Sequence, residues 1–223
     1  MKHTIRTILL IALALALVLS LAACAKTPAP APTAEPTAEQ TSEPTPTAEP
    51  TATPAPSGRQ PGERFEETII IEGMEETVTY EHVRSDALGF ELDYDCERFE
   101  YRVGDDSDVF VSVWDLPADP ANYIEVTRRA QDAATVVAEV RAALSGEYEL
   151  IEEARELENA GECTYIEAAA LKNGGGMPDR LQLFYIVPAG DGCIVVAEHL
   201  EAEAAEGFGR RFGYMLDTLT VIG

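Results

Sequence analysis

The chain has 223 residues, with 40 acidic against 16 basic side chains and a formal net charge of −24. A charge that negative repels nucleic acid and anionic lipid head groups, so nucleic acid is excluded as a partner and a solvated acidic surface is expected. No His-x-x-x-His or Cys-x-x-Cys spacing occurs, so neither a metal nor a cofactor is expected.

Lys2, His3 and Arg6 form a short basic leader, and Ile8 to Leu19 is an unbroken run of twelve Ile, Leu, Ala and Val residues. That length matches the apolar core of a secretory signal and falls short of the roughly 20 residues needed to span a bilayer. The small residues Ala22 and Ala23 follow, and Leu21-Ala22-Ala23-Cys24 resembles a bacterial lipobox. The resemblance implies that the Cys24 sulfur carries diacylglycerol through a thioether and that the chain is cut just before it. Residues 1–23 are then the signal peptide, and Cys24 is the lipid attachment site. The mature protein is expected on the outer face of a bacterial cell membrane, extracytoplasmic and lipid-anchored. Losing Lys2 and Arg6 with the leader leaves 14 basic against 40 acidic side chains, a formal charge of −26.

Residues 25–62 hold ten of the fourteen prolines and the recurring Pro-Thr-Ala-Glu at 32–35, 36–39 and 46–49. With no apolar side chain larger than Ala or Pro, the segment cannot bury enough surface to offset the entropy of ordering. Residues 24–62 are therefore read as the lipidated cysteine and a disordered tether. At ~3.1 Å per residue in a polyproline II conformation it could reach on the order of 100 Å.

A globular domain is expected over 63–223. Thr68 to Ile71 and Thr77 to Val83 flank Gly73-Met74 as a hairpin. Gly89 to Tyr94 alternates cleanly, placing Phe90, Leu92 and Tyr94 on one face. Phe99 to Val103 and Val109 to Trp114 pair across the acidic turn Gly104 to Asp108, and Tyr123 to Thr127 is a further strand. The period then changes. Ala133, Val136, Val137, Val140 and Leu144 fall at helical spacing, with Asp132 placed to cap the start and Gly146 the end. Strands Glu149 to Arg155, Cys163 to Leu171, Arg180 to Val187 and Cys193 to His199 follow. Glu201 to Leu219 carries Phe208, Phe212, Met215 and Leu219 on one stripe of a second amphipathic helix. The whole is an α+β domain with one antiparallel sheet and two amphipathic helices packed on it.

Ser85-Asp86-Ala87-Leu88-Gly89-Phe90-Glu91-Leu92-Asp93-Tyr94, the late Leu183-Phe184-Tyr185-Ile186-Val187 with its hairpin, and Phe212 to Val221 resemble the PsbP-like fold over roughly residues 85–223. The resemblance implies an α/β/α sandwich serving protein binding or assembly, and it brings no catalytic residues.

With Cys24 acylated, Cys96, Cys163 and Cys193 remain. A meander puts Cys163 and Cys193 on either side of one central strand, roughly 9–10 Å apart, beyond the reach of a disulfide. All three are expected as free thiols. Asp105, Asp106 and Asp108 crowd one turn, yet their spacing departs from a calcium loop and reads as a solvated hairpin turn. His82 and His199 read as hydrogen-bonded structural histidines. None of the domain's serines sits in Gly-x-Ser-x-Gly, and the glycines at 174–176 lack the following Lys-Ser/Thr of a phosphate loop. No enzymatic activity is expected. Trp114 and Tyr123 bracket the proline-bearing turn 117–120 and are the aromatic candidates for ligand contact, with burial in the core as the plainer reading. The expectation is a membrane-anchored binding or assembly module with a protein partner. A hydrolase acting on wall or extracellular polymers and a structural surface spacer are the alternatives.

Overall fold

The structure, a computed structural model, describes residues 58–115, 119–172 and 174–222. The expected signal peptide, the expected lipid attachment site Cys24 and nearly all of the expected tether lie outside them. Among the described residues, no helix is long and apolar enough to cross a membrane.

Strands β1 (Arg64–Ile71) and β2 (Met74–Ser85) form a hairpin closed by a two-residue loop, Glu72-Gly73. Both loop residues have positive φ, 51° and 80°. That is the left-handed pair whose twist matches the flanking strands, and it explains why glycine stands second. Strand β3 (Phe90–Asp95) pairs antiparallel with β2. On its other edge it takes up the two-residue strand β11 (Thr220–Val221) near the end of the chain. These four strands form one sheet, in the order β1-β2-β3-β11.

The expectation of a single sheet is therefore corrected. After β3 the chain leaves this sheet through Cys96 to Arg98 and starts a second one. Strands β4 (Phe99–Val103), β5 (Ser107–Ser112), β6 (Tyr123–Arg129), β7 (Tyr148–Leu157), β8 (Gly161–Leu171), β9 (Arg180–Ala189) and β10 (Gly192–Glu201) build seven strands in the order β4-β5-β6-β10-β9-β8-β7. Every pairing in both sheets is antiparallel. The local alternation is the same in either sheet, so the sequence pattern carries no mark of the switch.

Helix α1 (Ala133–Leu144) starts where expected. Asp132 accepts hydrogen bonds from the Thr135 amide at 2.9 Å and the Thr135 hydroxyl at 3.0 Å. Its Val136, Val137 and Leu144 pack with Ile166, Ile186 and Val195 on one face of the large sheet. The alternate residues Tyr165, Val187 and Val196 face the other way, into the main core. Helix α2 (Ala205–Asp217) is shorter than its apolar stripe suggests, because β10 runs on to Glu201. It packs against β1, β3 and β10, strands of both sheets. Phe208, Phe212, Met215 and Leu219 enter the main core as expected, beside Phe90, Leu92 and Phe99. Burial of this kind stabilises by about 1.5–3 kcal/mol per large side chain. It offsets the low helical propensity of Gly207, Gly209 and Gly213.

Cys163 on β8 and Cys193 on β10 flank β9, the order expected. They also face opposite sides of the sheet, Cys163 in the main core and Cys193 beneath α1. All three described cysteines are free thiols.

Candidate functional site

The outer-facing positions of β3 are not solvated. Glu91, Asp93 and Asp95 alternate with Phe90, Leu92 and Tyr94, yet all six side chains are buried. A buried carboxylate must find partners, and these come from distant segments. His82, opposite Asp93 on β2, places Nδ1 at 2.7 Å from Asp93 Oδ1, while Arg59 donates to Asp93 Oδ2 at 3.0 Å. Glu91 lies 3.8 Å from His82 Nε2 and 3.6 Å from Arg84 Nη1. From α2, Arg211 donates to Asp95 at 2.9 Å and to Glu76 at 2.6 Å, and Arg98 donates to the other Glu76 oxygen at 2.6 Å. Burial pushes the Asp95 carboxyl above its ordinary range, with Arg211 pulling it back only in part. Burial also works against ionised Glu76, but hydrogen bonds from Arg211 and Arg98 outweigh it and hold that carboxyl low. This network ties hairpin, β3 and α2 together.

The two arginines also floor a cleft of about 360 Å³ between the β1–β2 loop, the end of β5 and the first turn of α2. Arg98 stacks on Trp114 with its guanidinium carbon 5.1 Å from the ring centroid, and Phe208 meets the same ring edge-on at 6.1 Å. Trp114 is nevertheless 61% exposed. The plainer reading of Trp114 as core is thus corrected: the alternation that buries Phe110 and Ser112 ends with β5, and the indole lies at the cleft's mouth. Glu72, Glu203 and Glu206 line the rim.

Tyr123 is not in this cleft. It is half-buried and stacks on His199 at 4.3 Å and 13°, so the structure separates the two aromatic candidates. The expected hydrogen bond of His199 is not found among the described residues, and burial holds the imidazole below its ordinary range. His82 does have its expected hydrogen bond. Asp108 leaves the acidic turn altogether: it is buried and accepts from the Tyr101 hydroxyl at 2.7 Å, while Asp105 and Asp106 stay exposed. Among the described residues, no group of His, Cys, Asp and Glu could hold a metal ion.

Burial raises the thiols of Cys96, Cys163 and Cys193, which keeps them protonated and poorly nucleophilic. Glu198 on β10 is 2% exposed, with Oε1 lacking a hydrogen-bond partner among the described residues. Burial pushes its carboxyl up to about 8, only partly offset by Arg155. It faces the main core with Ile194, Val196 and Leu200. The sequence signal for it is a lone glutamate in Ile194-Val195-Val196-Ala197-Glu198. The corresponding signal for Arg211 is a cation three residues after Phe208 and beside Phe212, on the buried stripe of α2.

No protein-family model matches the chain, and no curated protein matches it. Among solved structures the chain is similar to CyanoP, the cyanobacterial PsbP of Synechocystis, at 13% identity and a TM-score of 0.43, covering 64% of this chain and 92% of that one. It is similar to a Bacteroides thetaiotaomicron protein at 12% identity and a TM-score of 0.40, over 60% of this chain and 46% of that one. It is also similar to LpqN, a protein involved in cell envelope biogenesis of Mycobacterium tuberculosis, at 10% identity and a TM-score of 0.32, over 77% of this chain and 90% of that one.

Proposed function

We propose that this protein is a lipid-anchored, extracytoplasmic binding module without enzymatic activity, held to the membrane at Cys24 by a tether over residues 24–62. Its contact site is the Trp114 cleft. The observation that carries this reading is the chain's single tryptophan, 61% exposed at the mouth of a cleft of about 360 Å³. Tryptophan and arginine are among the side chains most enriched at the hot spots of protein interfaces. The ring's support comes from below. Arg98, which stacks on the ring, is fixed by Glu76, which is in turn fixed by the buried Arg211. A pre-organised platform loses little entropy on binding. A hydrolase built on a serine or cysteine nucleophile draws less support, because the cleft's lining among the described residues includes no histidine, serine or cysteine.

Replacing Trp114 with the photo-crosslinker p-benzoylphenylalanine, in full-length protein in intact cells, tests this. A discrete adduct is expected from position 114. The same residue at Met177, equally exposed but distant in sequence and outside the cleft, is expected to give none. Equal adducts at both positions, or none at 114, would remove the cleft from consideration.

A further inference from the structure

The charges around the Trp114 cleft are unevenly satisfied. Its two cations are spent: Arg98 is bound to Glu76, and Arg211 to Glu76 and Asp95. Its three rim carboxylates, Glu72, Glu203 and Glu206, are exposed and have no ion-pair partner among the described residues. The cleft therefore presents net negative charge around an open indole face.

Two features strengthen that asymmetry. Glu72 is the one non-glycine residue with positive φ among those described, at 51°. Asn or Gly would occupy this turn position with less strain, on the order of 1–2 kcal/mol for an ordinary L-residue. Glu72 is directed at the site: a methyl group built on Gly207, in the first turn of α2, would lie 3.8 Å from its Oε1. The second feature is a neighbouring cleft of about 260 Å³, which shares Glu203 with the first and adds Asp179 and Glu201 against the single cation Arg180. The uncapped N-terminus of α2 is a weak positive pole, answered within its own first turn by Glu206.

From this juxtaposition we infer that the site's ligand is a basic peptide segment, with a lysine or arginine side chain lying on the free face of Trp114 and its charge met by Glu203, Glu206 and Glu72. The inference rests on the Trp114 cleft being the binding site. The chemistry is that of an aromatic ring facing a cation, reinforced by carboxylates whose charge is not already neutralised. An acidic ligand would meet the same carboxylates as repulsion. A neutral sugar could stack on Trp114 but would leave the unpaired acids without a counter-charge. The chain's net charge of −24 also draws a cationic partner toward the surface before contact.

Because Trp114 is the chain's only tryptophan, its fluorescence reports on this site alone. The full chain in neutral detergent is titrated with a short oligolysine, an oligoglutamate of equal length, and a neutral N-acetylglucosamine oligomer. The oligolysine is expected to shift the emission saturably, with affinity falling as salt shortens the range of the charges. Glu203→Gln with Glu206→Gln should weaken it by roughly fivefold or more, as two exposed ion pairs allow. Glu156→Gln, on the distant exposed strand β7, should not. No saturable shift with oligolysine overturns the inference, as does equal affinity in the double variant, which would mean diffuse attraction to an acidic surface. Saccharide binding, or crosslinking at position 114 without oligolysine binding, would overturn the ligand class and leave the cleft's role standing.

Discussion

Arg211→Met should be the most damaging single change in the domain, lowering unfolding free energy by about 3–5 kcal/mol, the usual cost of stranding one partner of a buried ion pair. Arg211 is 6% exposed, and its loss leaves Asp95, 2% exposed, without its principal counter-charge. Glu76 is less affected, because Arg98 still holds it. Methionine keeps much of the volume of the aliphatic stem, so the loss isolates the charge. Urea unfolding measures it. Adding Asp95→Asn to Arg211→Met should recover a large part of the loss, since the stranded group is then neutral. A loss below about 1 kcal/mol in the single variant, or none recovered in the double, would show that the bridge is not what ties α2 to β3.

The second large effect is a pH dependence set by Glu198. Its folded carboxyl titrates near 8, far above the ordinary glutamate value of 4.5 that applies in the unfolded chain. The folded state therefore holds a proton that the unfolded state has lost. The stability this group contributes is fully present below pH 4.5 and drains away as pH rises to about 8. The slope approaches 1.4 kcal/mol per pH unit across that window. Glu198→Gln removes the titrating proton while keeping the shape. The variant is expected to match the wild type near pH 4.5 and to exceed it by on the order of 3–5 kcal/mol at pH 8. Carboxylates held low by partners, such as Glu76, act in both proteins and cancel in the difference. Parallel stability curves from pH 5 to 8 would mean that Glu198 is ionised in the fold.

Most strands and both helices were legible in the sequence, because alternation in Phe90 to Tyr94 and the 3.6-residue spacing of Val136, Val140 and Leu144 are local properties. What was not legible depends on contacts across long separations. Glu91, Asp93 and Asp95 look like the wet face of a strand. They are buried because Arg59, His82 and Arg211 arrive from elsewhere, the last of them 116 residues away from Asp95. Strand β7 is unusually acidic for a strand, and the reason is its place: it is an edge strand of the large sheet, where charged side chains face water and discourage pairing with another chain. Trp114 was singled out as a candidate, but its exposure follows from where β5 ends and α2 begins. Tyr123, nine residues further along the chain, stacks on His199 instead. The two-sheet arrangement was invisible for a different reason: neighbouring strands β3 and β4 have equally apolar inward faces, whichever sheet they join.

The proposed location rests on one residue: Cys24 is to carry this acidic domain on the outside of a membrane. Metabolic labelling with a clickable fatty acid, followed by fractionation of intact cells expressing wild type or Cys24→Ser, tests it most directly. The account predicts that wild type takes up the label and sediments with membranes, while Cys24→Ser takes up none and leaves the membrane fraction. Undiminished labelling of the Cys24→Ser protein, or a wild type that carries no lipid, would contradict it.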